Sequence, residues 1–117
     1  MNSDRYRDRY RRDGTPYPPG EEGLMEWARD AADLEKKIVR RDKLPNGYLV
    51  STVWLGLNHR FRAGPPLIFE TMVFLDDGLG MADDYQERYT TEAEAVLGHQ
   101  RAVEFYRNNK PAIVKEE

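Results

Sequence analysis

At 117 residues the chain is expected to hold one domain with at most a short extension, which excludes a multidomain enzyme. Cysteine is absent, so disulfides, thiolate metal sites and cysteine nucleophiles are excluded, and no apolar run is long enough to span a bilayer. The net charge of −3 is uneven: residues 1 to 20 carry five Arg against three Asp, while the remainder carries 13 basic against 18 acidic residues, leaving only the N-terminal segment basic enough for phosphate contacts.

Residues 1 to 20 combine an Arg/Tyr/Asp repetition with Gly14, Pro16, Pro18, Pro19 and Gly20, and no periodicity in them buries a face, so a flexible arm is expected. The opening MNSDRYRDRYRRDG has no apolar segment behind it; neither a secretory signal nor a membrane anchor is expected, and the expected compartment is the cytoplasm. Arg5, Arg7, Arg9, Arg11 and Arg12, interleaved with Tyr6 and Tyr10, suit phosphate contact and base stacking, although Asp4, Asp8 and Asp13 dilute the charge.

From Glu21 to about Lys43, Leu24, Trp27, Ala28, Ala31, Leu34 and Ile38 recur at steps of three and four, which predicts an amphipathic helix closed by Pro45-Asn46-Gly47. Glu35 falls on its apolar stripe. Tyr48 to Leu55 is β-branched and aromatic and reads as a strand, and Leu67 to Leu75 as a second. Residues 56–66, GLNHRFRAGPP, form a long structured loop between them. Tyr85 to Tyr89 alternates as a short third strand at an edge, and Thr91-x-x-Glu94 is a capping box that opens a helix to about Asn108. Residues 111–117 are a short tail.

The expected fold is therefore α+β: a small antiparallel three-stranded sheet with an N-terminal and a C-terminal helix packed on one face, in the order α-β-β-β-α. Residues 1–20 would be the arm and 21–110 the domain. Both strands of the main hairpin are apolar on both faces, so the face the helices leave open, with Trp54 among its aromatics, is expected to meet a partner or a second copy of the chain.

Histidine chemistry is confined to His59, in the loop, and His99, on the inward side of the last helix. Glu35 and Glu70 are the acids expected to face His99, as a perturbed acid/base cluster or as a structural polar network. In the loop, Asn58, His59, Arg60, Phe61 and Arg62 set an amide, an imidazole and two guanidinium groups beside an aromatic ring, a contact surface for anions or peptides. No phosphate cradle, zinc-protease helix or serine nucleophile motif occurs, and Asp76, Asp77, Asp83 and Asp84 miss the calcium-loop spacing. No cofactor, metal site or catalytic residue is expected.

Residues 50–74, VSTVWLGLNHRFRAGPPLIFETMVF, together with 87–103, ERYTTEAEAVLGHQRAV, resemble a group of small uncharacterised proteins of tailed bacteriophages and prophages, particularly those of actinobacteria. The resemblance covers the sheet and the last helix and carries no established activity. It implies a phage-encoded accessory protein acting in the host cytoplasm. A partner-binding module using the sheet face, Trp54 and the loop is the leading expectation; a nucleic-acid-associated protein using the arm, and a small enzyme or ligand-binding domain around His99 and Glu70, are the alternatives.

Overall fold

The computed structural model describes residues 8–76 and 80–113. Asn46-Gly47, at the end of the expected long helix, is a hairpin signal. Gly47 takes a φ of 97°, Gly47 N–H donates to Leu44 O at 3.0 Å and Leu44 N–H to Tyr48 O at 2.7 Å, and the turn joins two strands rather than closing a helix. The helix reading of 21–43 is thus corrected. Helix α1 spans Gly20–Ala32, a single turn α2 spans Leu34–Lys37, and strand β1 spans Ile38–Lys43. Asp33 breaks the run: its backbone is extended and its carboxylate accepts from Glu35 N–H at 3.0 Å. Leu34 is 67% exposed, so the stripe that suggested one long helix buries nothing there.

Strands β2 (Tyr48–Trp54), β3 (Phe69–Leu75) and β4 (Ala82–Tyr89) follow, then helix α3 (Glu92–Asn109). The fold is α+β with one antiparallel sheet of four strands, not three, in the order β1-β2-β3-β4. The element order is accordingly α-α-β-β-β-β-α. Both edges carry charge, Arg40 to Lys43 on β1 and Asp83, Asp84, Glu87 and Arg88 on β4, which discourages pairing with another chain.

On β2 the alternation is complete: Tyr48, Val50, Thr52 and Trp54 are buried, and their partners across β3 are Leu75, Val73, Thr71 and Phe69. Helix α3 contacts all four strands. Its start is fixed by both halves of the expected capping box, with Glu94 N–H donating to Thr91 Oγ1 at 3.1 Å and Thr91 N–H to Glu94 Oε1 at 3.0 Å. Two apolar clusters form. One gathers Tyr17, Trp54, Ile68, Phe69, Tyr89 and Ala95; the other gathers Leu44, Tyr48, Val50, Val73, Ala102 and Tyr106. The alternate residues Leu49, Val53, Met72 and Phe74 are only half-buried.

The flexible-arm reading is corrected for residues 8–20, while 1–7 lie outside the described residues. Tyr10 N–H donates to Gly56 O at 2.8 Å, Asn58 N–H to Asp8 O at 2.7 Å, and Arg11 N–H and Tyr17 N–H close a small hairpin onto Thr15 O and Arg9 O. Trp54 Nε1–H donates to Tyr10 O at 3.0 Å, and Tyr17 is buried in the first cluster. The segment is held because its aromatics, not its arginines, find a core. Among the described residues no helix is long and apolar enough to cross a membrane.

Tyr106 closes the second cluster and donates its phenol hydrogen to Asp83 on β4. This bond, and then the nearby Lys110 ammonium, hold the Asp83 carboxyl below its ordinary value against the opposing effect of burial. A depressed carboxyl stabilises the fold at pH values above its unfolded pKa, and that contribution is lost as the pH falls through the folded value. Tyr106→Phe is therefore expected to lower stability at neutral pH by roughly 1 kcal/mol. It is also expected to flatten the loss on acidification, both read from urea unfolding midpoints across the acid range.

Candidate functional site

The two apolar clusters are separated by a layer of polar side chains. Thr52 and Thr71 are register partners on β2 and β3, both fully buried, with their hydroxyl oxygens 2.5 Å apart. His99 enters from α3, two turns beyond the cap, and is 1% exposed. Its Nδ1 lies 2.7 Å from Thr52 Oγ1 and its Nε2 lies 2.6 Å from Asp42 Oδ2 on β1. At the other end, Tyr89 on β4 donates its phenol hydrogen to Thr71 Oγ1 at 3.1 Å. Ala95, Gly98 and Ala102, all buried, let α3 approach this closely, and Gly98 packs directly against the Tyr89 phenol.

The hydrogens in this chain have one consistent arrangement with a neutral imidazole. An ionised Asp42 only accepts, so Nε2 carries the hydrogen and Nδ1 accepts. Thr52 then donates to Nδ1, Thr71 donates to Thr52, and Tyr89 donates to Thr71. Burial raises the Tyr89 phenol above its ordinary pKa, so it remains a donor at neutral pH. Every hydrogen along Tyr89–Thr71–Thr52–His99–Asp42 is used, and all point one way.

Hydroxyl, imidazole and carboxylate stand in the sequence of a serine-protease triad, but the hydroxyl is sealed in the core and no substrate atom reaches it. What opens to solvent is the acid: the Asp42 side chain is 52% exposed. It lines a cleft of about 400 Å³ with His99, Arg40, Gln100, Glu104 and Arg107. The arrangement is a buried hydrogen-bond chain whose acid end meets solvent. Among the described residues no three His, Cys, Asp or Glu side chains come together to hold a metal.

The expected cluster of Glu35, Glu70 and His99 does not form. Glu35 is exposed on α2. Glu70 neighbours Thr71 on the strand, so its side chain leaves by the opposite face, where Arg88 Nε and Gln86 Nε2 each donate to it at 2.9 Å. The acid that faces His99 is Asp42. Reading 38–43 as helix hid it; as a strand, its pairing with Val50 places it on the α3 side.

Trp54 is corrected in the same way: at 1% exposure it is core, not partner surface. The loop residues stay at the surface. Asn58 Oδ1 accepts from both Arg60 N–H at 2.9 Å and Leu67 N–H at 3.0 Å, His59 N–H donates to Leu67 O at 3.0 Å, and Arg60 Nε–H donates to Pro65 O at 2.5 Å. Phe61 is 100% exposed, and Arg62 beside it is exposed. Of the arm's arginines, Arg5 and Arg7 lie outside the described residues. Arg9 stacks over Trp27 at 5.6 Å, Arg11 pairs with Glu26 at 2.9 Å, and Arg12 pairs with Glu92 at 2.6 Å.

Two substitutions test the layer. Thr52→Val keeps the shape but strips His99 Nδ1 and Thr71 of their partner, and is expected to cost about 1–3 kcal/mol in chemical denaturation. Gly98→Ala adds helix propensity worth about 1 kcal/mol at an exposed site, yet here its Cβ collides with the Tyr89 ring, and a net loss of roughly 1–3 kcal/mol is expected. Comparison of the chain with protein-family models, with curated proteins and with solved structures returns no match, so its own side chains are what bear on function.

Proposed function

We propose that this chain is a non-enzymatic binding module of an accessory protein, of the phage-encoded class its 50–74 stretch resembles, that engages a protein partner through the loop 58–66. The observation that carries this reading is Phe61. A phenylalanine fully in water holds in reserve about 2–3 kcal/mol of burial free energy that a partner's pocket would release. The loop that carries the ring is tied at its base by the Asn58 carboxamide and the Arg60–Pro65 bond. Such anchoring lowers the ordering cost of association. Arg60 and Arg62 flank the ring, and an apolar pocket with an acidic rim is the complementary surface.

The nucleic-acid alternative loses support from the same geometry, since Arg11 and Arg12 are engaged with Glu26 and Glu92 and Arg9 with the Trp27 ring. The enzyme alternative loses its cluster, as Glu70 and His99 lie on opposite sheet faces.

Affinity capture with the tagged protein at low and high salt, run in parallel with Phe61→Ala, tests the proposal. A stoichiometric protein that stays bound at high salt and is weakened roughly tenfold or more by Phe61→Ala is expected. The variant's unfolding midpoint should match that of the parent, because the ring packs on nothing. Equal capture by both proteins, or nucleic acid released by salt as the sole ligand, sinks the reading.

A further inference from the structure

We propose that proton uptake by His99 reverses the whole hydroxyl chain and thereby couples the Asp42 cleft at one edge of the sheet to Tyr89 at the other. The chain runs from β4 through β3 and β2 to His99 on α3 and ends at Asp42 on β1, and the residues at its two ends line different surface clefts. Asp42 and His99 line the one described above. Tyr89 lines a second, of about 370 Å³, with Arg60, Thr90, Leu97 and Arg101.

The coupling follows from how few hydrogens the chain holds. With His99 neutral, Tyr89, Thr71 and Thr52 each donate toward the ring. An imidazolium carries hydrogens on both nitrogens, so Nδ1 can no longer accept and must donate to Thr52 Oγ1. Thr52 is fully buried and already 2.5 Å from Thr71, so its own hydrogen has one place to go. Thr71 then donates to Tyr89 Oη, and the Tyr89 hydrogen loses Thr71 as its acceptor.

The same end state arises by transfer along the chain. A proton delivered to Tyr89 Oη is handed on by Thr71 and Thr52, each oxygen giving up the hydrogen it held and receiving one from behind. One N–H bond forms at Nδ1, one proton is taken from water, and no hydroxyl is left ionised. Nε2–H continues to donate to Asp42 throughout.

The charges facing the ring favour both states in part. From β1, Asp42 attracts the imidazolium at 2.6 Å while Arg40 opposes it. From α3 itself, Glu104 and Arg107 line the same cleft with opposite signs. From β2 and β3 the ring's chain meets only the threonine hydroxyls, and at β4 the Tyr89 phenol lies under the influence of Glu87 and Arg101. Nothing in this coupling depends on what binds Phe61.

The test is NMR on the full chain, with imidazole nitrogen and Tyr89 ring signals followed from about pH 8 to pH 5. At the upper end His99 is expected as the Nε2–H tautomer. As it titrates, the Tyr89 signals are expected to move with the same midpoint, while half-buried His59 serves as the uncoupled reference. Thr71→Ser, which keeps a hydroxyl, should preserve the shared midpoint; Thr71→Val should leave His99 titrating and Tyr89 still. An Nδ1–H tautomer at the upper end, a His99 that takes up no proton before the fold is lost, or a Tyr89 response absent from the parent or from Thr71→Ser, or unchanged in Thr71→Val, each overturns the proposal. If Thr71→Val does not fold, the tautomer, the parent titration and Thr71→Ser still decide it.

Discussion

The structure depends on a polar layer that must be satisfied in the middle of its core. Burying two hydroxyls and an imidazole costs free energy unless each finds its partner, and a chain half satisfied costs more than an apolar layer of the same shape. Only one register of β2 on β3 brings Thr52 opposite Thr71. A slip by one residue would pair Thr52 with Glu70 or Met72 and leave the two threonines on opposite faces of the sheet. The two apolar clusters supply most of the burial, but Leu, Val and Tyr tolerate small shifts in a way that a hydrogen-bonded chain does not. The layer therefore selects one pairing among several of similar hydrophobic content.

The same requirement explains an irregularity at the sheet edge. The pairing of β1 with β2 shifts between Ile38↔Val53 and Arg40↔Thr52, leaving Val39 as the extra residue of a bulge. Without that residue, the phase set by Ile38 would place Asp42 opposite Leu49, on the face away from α3. With it, Asp42 stands opposite Val50 and reaches His99. An edge strand carries this well, since a bulge there disrupts one ladder rather than two. The N-terminal hairpin is docked on different terms. Its ion pairs, Arg11–Glu26 and Arg12–Glu92, are part-exposed and worth about 0–1 kcal/mol each. Burying Tyr17 is worth about 2 kcal/mol, so the aromatic ring, with the backbone bonds to Gly56 and Asp8, does most to hold the segment.

Legibility in the sequence followed whether a segment's signal was local. Helix α3 announced itself through Thr91 and Glu94 because a capping box acts within one turn, and β2 and β3 through their β-branched runs. Ile38 to Lys43 was misread because Ala31, Leu34 and Ile38 fall at helical spacing by coincidence, while Asp33 and the Asn46-Gly47 turn, which decide against a helix, act on the backbone without changing the hydrophobic pattern. Residues 8–20 read as an arm because their partners, Glu26, Gly56 and Glu92, lie far along the chain, and composition says nothing about distant contacts. For the site, His99 was visible as a polar residue on an inward helical face. Asp42 was not, since its role exists only once β1 is a strand with a bulge. Thr52 and Thr71 were not either, since both faces of these strands are apolar and alternation alone does not say which one the helix covers.

A chain built only to fill and fix the core would not need the ends this one has. Threonines in the middle of a layer satisfy each other without titrating, and an amide at position 42 could accept from His99 Nε2 as a carboxylate does. The layer instead sets an imidazole between those hydroxyls and a carboxylate at β1. Placing the acid on an edge strand, half in water, avoids most of the desolvation that a buried carboxylate facing the imidazole would incur. Hydroxyls that each donate in turn toward an imidazole make a layer that is rigid in position and, on the proposal above, reversible in polarity. Rigidity serves the register; reversibility is the property that a purely structural layer would have no reason to keep.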